Sequence, residues 1–173
     1  MKWPKSMKWG SGDFMWARPL RNILCLYGNE VVEFDIPQIG KKTNNITFDH
    51  RSMGQGKIVV DSVENYKPLL AKGNVILTRS DRQNIILSEF DKIEGKYGIK
   101  INRHPGLLEE VIGLVEFPKV FVGQISDDFM HLPEEVLTTT MRINQRYFTT
   151  RGQDGKLSKY FVFVSNIETI DNG

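Results

Sequence analysis

Cysteine is nearly absent from this sequence: Cys25 is the single thiol in 173 residues. That excludes an internal disulfide and any zinc site built on cysteines. Within the apolar run Ile23–Tyr27, Cys25 reads as a small packing residue rather than a nucleophile. Histidine is scarce as well. His50, His104 and His131 are far apart and lack carboxylate or cysteine neighbours at ligand spacing, so no metal site is expected. No apolar run approaches the ~18–20 residues that span a bilayer, and no signal-peptide centre is visible. A membrane partner is therefore not expected, and the cytoplasm is the expected compartment. Nor is there a Gly-x-Gly-x-x-Gly turn between a strand and a helix. Gly54-Gln55-Gly56-Lys57 lacks the earlier glycine of a phosphate loop, position 51 being Arg, and no Ser or Thr follows Lys57 to hold Mg²⁺.

Charge of one sign is also missing, since 23 Lys and Arg against 21 Asp and Glu leave +2. A polybasic arm is excluded, but the sum hides a gradient. Residues 1–21 carry five cations against Asp13, and residues 138–160 carry Arg142, Arg146, Arg151, Lys156 and Lys159 against Asp154. The acidic pairs Glu109-Glu110, Asp127-Asp128 and Glu134-Glu135 fall at predicted helix starts. Adjacent residues do not share a helix face, so these read as complements of the helix dipole rather than acid/base pairs.

What is present is a mixed pattern of short strands and helices. Residues 20–36 read as a hairpin turning at Gly28-Asn29, with Val32, Phe34 and Ile36 alternating on the return. A polar segment over 37–57 and a short strand at 58–60 follow. Helices are predicted over 62–72 (with Pro68 inside and Gly73 as the stop), from the capping pair Ser80 and Gln83 onward, and from Pro105. A strand over 120–122, a helical turn at 126–129 and a helix from Pro133 to about Arg146 come next. A second hairpin over 147–164 turns at Asp154-Gly155. The class is α+β, a mixed or antiparallel sheet with hairpins at both ends and three to four helices. One domain over 1–173 is expected, with a subdivision into 1–60 and 61–173.

Aromatic residues crowd the start of the chain: Trp3, Trp9 and Trp16 lie with Phe14 in sixteen residues. Such a segment either docks on its own core or forms a contact surface for a partner, and it is expected of a piece of something larger. On the last helix Thr138, Arg142 and Gln145 recur at helical spacing, flanked by Arg146. Together with Lys156, Lys159, Tyr147, Phe148 and Tyr160 they suit a sugar–phosphate backbone. Equally, Arg142 and Arg146 complement a helix C-terminus and the lysines solubilise a hairpin.

Ordered blocks of sequence carry a resemblance. Leu114-Val115-Glu116-Phe117-Pro118, Leu132–Met141, Gln145-Arg146-Tyr147-Phe148, Asp154-Gly155-Lys156-Leu157 and Val164-Ser165-Asn166 resemble the beta subunit of bacterial-type, heterotetrameric glycyl-tRNA synthetase. Pro4–Gly10, Ala17-Arg18-Pro19-Leu20 and Thr47–Met53 are similar to the same family in the same order. Asp49-His50-Arg51-Ser52 departs from the family's usual Gly-His-Arg-Phe, and Asn144 stands where His is usual. The family's chain is several times longer, so an internal segment of its N-terminal half is expected. The resemblance implies an alpha subunit that uses ATP, Mg and glycine, with a beta subunit that positions tRNA(Gly). No cofactor is expected in this segment, and no catalytic residue. The region is also similar to the editing-type domain of the phenylalanyl-tRNA synthetase beta chain. Under the resemblance, Arg142, Arg146, Lys156 and Lys159 become candidate phosphate contacts, with Arg51 and Lys57 beside them. Two other readings stay open: a subunit-contact module using the tryptophans, and a residual editing hydrolase using His50.

Overall fold

Strands of two or three residues, closed by tight turns, build the first part of the chain, and longer helices with one sheet build the second. The computed structural model describes residues 5–8 and 12–168, in two compact units, 1–75 and 76–173. The class is α+β, with four α-helices and antiparallel sheets among the described residues. Trp3 and Trp9 lie outside the described residues.

In the first unit, β1 (Met7–Lys8) pairs with β2 (Met15–Trp16), and β3 (Leu26–Tyr27) with β4 (Glu30–Val31) across Gly28-Asn29. Gly28 takes φ +60°, the sign that a primed turn demands. The single return strand expected over 32–36 is not formed. Pro37, which has no N–H to continue a ladder, opens a 3₁₀ turn. Around it β5 (Asp35–Ile36) pairs with β6 (Lys41–Lys42) in a second hairpin. Buried Thr43 fills the gap, its hydroxyl accepting from the Phe34 amide at 3.0 Å and donating to the Val32 carbonyl at 2.7 Å.

Then β7 (Ile46–Phe48) and β8 (Lys57–Val59) pair and lead to α1 (Val63–Lys72), capped by Ser62 accepting from the Asn65 amide. The 60/61 seam expected from the sequence lies between β8 and α1, next to fully buried Val60. The helix runs through Pro68 without being cut, and Gly73 is its C-cap. Gly73 keeps φ −84°; Asn74 takes the left-handed turn. Close approach is what requires a glycine there, since a Cβ would stand 2.7 Å from Asp49 Cβ and 2.9 Å from Ile58 Cδ1.

The second unit begins with α2 (Arg79–Tyr97), followed by β9 (Lys100–Ile101), α3 (Pro105–Leu114), β10 (Lys119–Gln124), α4 (Glu134–Thr140), β11 (Phe148–Arg151) and β12 (Leu157–Ser165). A 3₁₀ turn at Asp127–Phe129 precedes α4. The cap of α2 is Thr78, accepting from the Asp81 amide at 3.1 Å, rather than the expected Ser80. Pro105 opens α3 as its fixed φ favours, and His104 Nδ1 accepts from the Leu107 amide as that helix's cap. The four strands form one antiparallel sheet in the order β10-β12-β11-β9. The predicted turn at Asp154-Gly155 is formed, with Gly155 at φ +76°.

Ile86, Phe90 and Ile93 of α2 and Leu107, Leu108, Val111 and Ile112 of α3 close one face of this sheet against Phe148 and Val162. Phe90 meets Phe148 edge-on, centroids 5.0 Å apart, and both are fully buried. Truncating either ring to Ala removes about 3–5 kcal/mol.

Candidate nucleic-acid interface

Side chains of a strand alternate between faces. On β12, Tyr160, Val162 and Val164 join the core, and Lys159, Phe161, Phe163 and Ser165 stand on the opposite face. Opposite them on β10, Val120 and Val122 join the core and leave Phe121 and Gly123 on that same face, in register with Phe163 and Phe161. Phe121 stacks on Phe163 with centroids 5.5 Å apart, and Tyr147 stacks on Phe161 at 4.7 Å. Tyr147 also lies 5.4 Å from Phe163. The four half-buried rings form one ladder.

Sequence pattern alone singles out Tyr147, Phe148 and Tyr160 as the aromatics beside the cations. Only Tyr147 belongs to the ladder; Phe148 is sealed against Phe90, and Tyr160 packs inward against Tyr97 at 5.2 Å. The alternation within Tyr160–Val164 is the signal that sorts them.

The cations sort themselves by their partners. The helix expected to reach Arg146 is regular only to Thr140; Met141–Gln145 widen into a π turn, and Arg146 closes it at φ +58°. Arg146 Nε donates to Glu110 Oε1 at 2.6 Å. Arg151 pairs with Glu134 and donates to the Gly155 carbonyl at 2.7 Å. Arg142, Lys156 and Lys159 are exposed and have no ion pair among the described residues. Arg142 borders a small cavity of about 170 Å³ with Thr138, Tyr147, Thr149 and Arg151. Gln145, expected on the same helix face, is carried out of that lining by the π turn. The acidic pair Glu109-Glu110 does something other than complement a dipole. Glu109 and Glu110 lie beyond the first turn of α3, where Glu109 holds Arg79 at 2.6 Å and Glu110 holds Arg146.

A separate network fastens the end of α2 to β9. Glu94 accepts from the Ile101 amide at 2.9 Å and pairs with Lys100 at 3.0 Å and Arg103 at 3.3 Å; Arg103 also binds Asp91 at 2.6 Å. Burial works against the charge of Glu94, but the Ile101 N–H and the two cations outweigh it and hold the carboxyl below its ordinary range. The hydrogen bond to Asp91 outweighs burial at Arg103 and raises its pKa.

In the first unit, Arg51 and Lys57 are exposed. Lys57 borders a cleft of about 440 Å³ with Asp49, Gly54, Gln55, Lys72 and Asn74. The Asp49 carboxylate accepts from the amides of Gln55 and Gly56, so the Gly54–Lys57 stretch turns its amides to the protein itself. His50 is 2% exposed; its Nδ1 accepts from the Ser52 amide at 3.3 Å, and its Nε2 has no partner among the described residues. Trp16 stacks on Phe14 with centroids 6.4 Å apart. Among the described residues, no helix is long and apolar enough to cross a membrane.

On this unit, cations without an ion pair among the described residues thus stand beside a ladder of flat rings. Comparison with known proteins gives the chain its family: it belongs to the glycyl-tRNA synthetase beta subunit family, whose model matches residues 1–173. Its relatives include the glycine–tRNA ligase beta subunit of Rhodospirillum centenum, 40% identical over 195 residues, covering 100% of this chain and 27% of that protein. That of Rickettsia canadensis is 42% identical over 165 residues, covering 95% of this chain and 24% of that protein. That of Cereibacter sphaeroides is 41% identical over 174 residues, covering 99% and 25%. The chain thus spans about a quarter of the length of the curated relatives it matches.

Proposed function

We propose that this chain works within a glycine–tRNA ligase, which couples ATP to the attachment of glycine to tRNA, and that its part there is to position tRNA(Gly). ATP, Mg²⁺ and glycine are handled by the alpha subunit, its partner in the assembly, in the cytoplasm. The observation that carries the reading is the pair of exposed, unpaired cations Arg142 and Lys159 beside the ring ladder. A guanidinium without a carboxylate partner is free to fork onto a phosphate. Lys156 extends the same hairpin, and Arg146, held by Glu110, contributes less. In the first unit, Arg51 and Lys57 remain exposed cations suited to further phosphate contact. The editing alternative gains nothing from His50, which is out of solvent.

The test is tRNA(Gly) binding by the intact protein as a function of salt. Arg142→Ala with Lys159→Ala should weaken binding and flatten the salt slope by roughly 0.7 for each single-strand phosphate that is no longer neutralised. Wild-type affinity and slope in that double variant would sink the reading and leave a structural subunit-contact role.

A further inference from the structure

We infer that the ladder of Tyr147, Phe161, Phe163 and Phe121 is a stacking platform for unpaired RNA bases, an inference that rests on the tRNA reading above and names the part of the RNA this face takes.

The rings do not behave as core. Phe90 and Phe148, on the other face of the same sheet, are fully buried and meet edge-on, 69° apart. The ladder rings are only half-buried, and they lie flat in two pairs: Tyr147 and Phe161 are 13° from parallel and Phe121 and Phe163 23°, with Phe163 tilted 35° from Phe161 and 43° from Tyr147. Near-parallel rings present flat faces to which further flat rings can add. A four-stranded antiparallel sheet with helices behind it and aromatics in front is one recurring way to bind splayed-out bases.

Charge selects RNA over a protein as the occupant. At the alternate positions of β10 and β12 on this face, the charged residues are Lys119 and Lys159, both cations. Lys119 is paired with Glu168, whereas Lys159 has no ion pair among the described residues, and unpaired Arg142 lies at the Tyr147 end. Cations running beside a line of rings match a strand whose phosphates lie along one side of its stacked bases. A base-paired duplex keeps its ring faces inside its own stack, so the occupant is a loop or single-stranded end of the tRNA.

The probes are a fluorescent twelve-nucleotide oligo-adenylate and a blunt RNA duplex of the same length, bound to the intact protein at fixed salt. Phe161→Leu with Phe163→Leu should weaken oligo-adenylate binding tenfold or more, given that base–ring stacking is worth about 1–3 kcal/mol per base, and leave the duplex unaffected. Phe161→Tyr with Phe163→Tyr, which keeps both rings, should hold wild-type affinity. Unchanged oligo-adenylate binding in the Leu variant overturns the platform, and so does equal loss in the Leu and Tyr variants. In either case a weakened tRNA(Gly) complex in the Arg142, Lys159 variant leaves the wider tRNA reading standing. Disassembly of the intact protein in the Leu variant, with oligo-adenylate binding retained, would assign the face to a protein neighbour and also overturn the proposal. On the unsubstituted protein, photocrosslinking of a bromouridine-containing single strand should map to Tyr147, Phe161 or Phe163; crosslinks confined to other peptides would refute it.

Discussion

The ring of Phe161 lies in the space that a side chain on Gly123 would need: in-register across β10 and β12, a Cβ on Gly123 would come within 2.3 Å of Phe161 Cζ. The glycine is thus the floor on which the ladder rests. Gly123→Ala must push the ring away, and it should cost about 1–3 kcal/mol in urea unfolding, in the range of overpacked sites. The same variant should loosen the Tyr147–Phe161 stack and change the near-ultraviolet circular dichroism. A substitution that leaves both measurements at wild type would mean the ring has room it does not show.

Arg146 combines a left-handed backbone with an exposed ion pair to Glu110. The backbone strain for a non-glycine residue there is about 1–2 kcal/mol, whereas an exposed pair contributes ~0–1 kcal/mol. Strain should win. Arg146→Gly is expected to match or exceed wild-type stability in denaturant, and Arg146→Ala to fall below Arg146→Gly. An Arg146→Gly variant clearly less stable than wild type would show that the ion pair outweighs the strain.

Glu94 has a folded pKa below its ordinary value of 4.5. The stability it contributes is therefore complete above that value and is lost as pH falls through the depressed folded pKa. Thermal midpoints across the acid range should fall more steeply for wild type than for Glu94→Gln, and the two curves should converge at the lowest pH. Parallel curves would show that the carboxyl does not titrate with folding.

His50 is a packing residue with an orphaned Nε2. Leaving such a group unpaired costs about 1–3 kcal/mol, but emptying the space of a fully buried ring costs more, about 2–5 kcal/mol. His50→Ala should lower the melting temperature of the intact protein but spare any hydrolysis of mischarged tRNA that the protein performs. Loss of that hydrolysis at an unchanged melting temperature would restore a chemical role for the imidazole.

The parts legible in the sequence were those written in local chemistry. Pro105 announced α3 because its fixed φ suits a first helical position, and Ile86, Phe90 and Ile93 marked the buried face of α2 by spacing alone. Gly28 and Gly155 marked their turns because the backbone there needs a positive φ. The misplaced cap of α2 was a close contest, with Thr78 and Ser80 both able to accept and even hydrogen-bonded to each other at 3.1 Å. What the sequence could not reveal depended on distant partners. Glu110 lies 36 residues from Arg146, and Glu134 lies 17 from Arg151, so neither pairing is visible in local spacing. The charge excess over 138–160 was real as a count, but it overstated the free cations on the surface. The ladder was half legible: Phe161 and Phe163 alternate plainly, but only the register of β10 brings Phe121 and Gly123 beside them.

The π turn at Met141–Gln145 has a consequence for spacing. Its wide loop lets the Met141 carbonyl accept from the Tyr147 amide at 2.8 Å, which sets where the chain leaves the helix and where the first ring of the ladder stands. A π turn holds one residue more than the α-helical turn it replaces. Deleting any one residue between Thr140 and Tyr147 would let the helix regain its regular pitch, at the cost of swinging Tyr147 away from Phe161. Along this stretch the count of residues, more than their identity, joins the helix carrying Arg142 to the rings beside it, so side-chain changes should be tolerated where a one-residue gap is not.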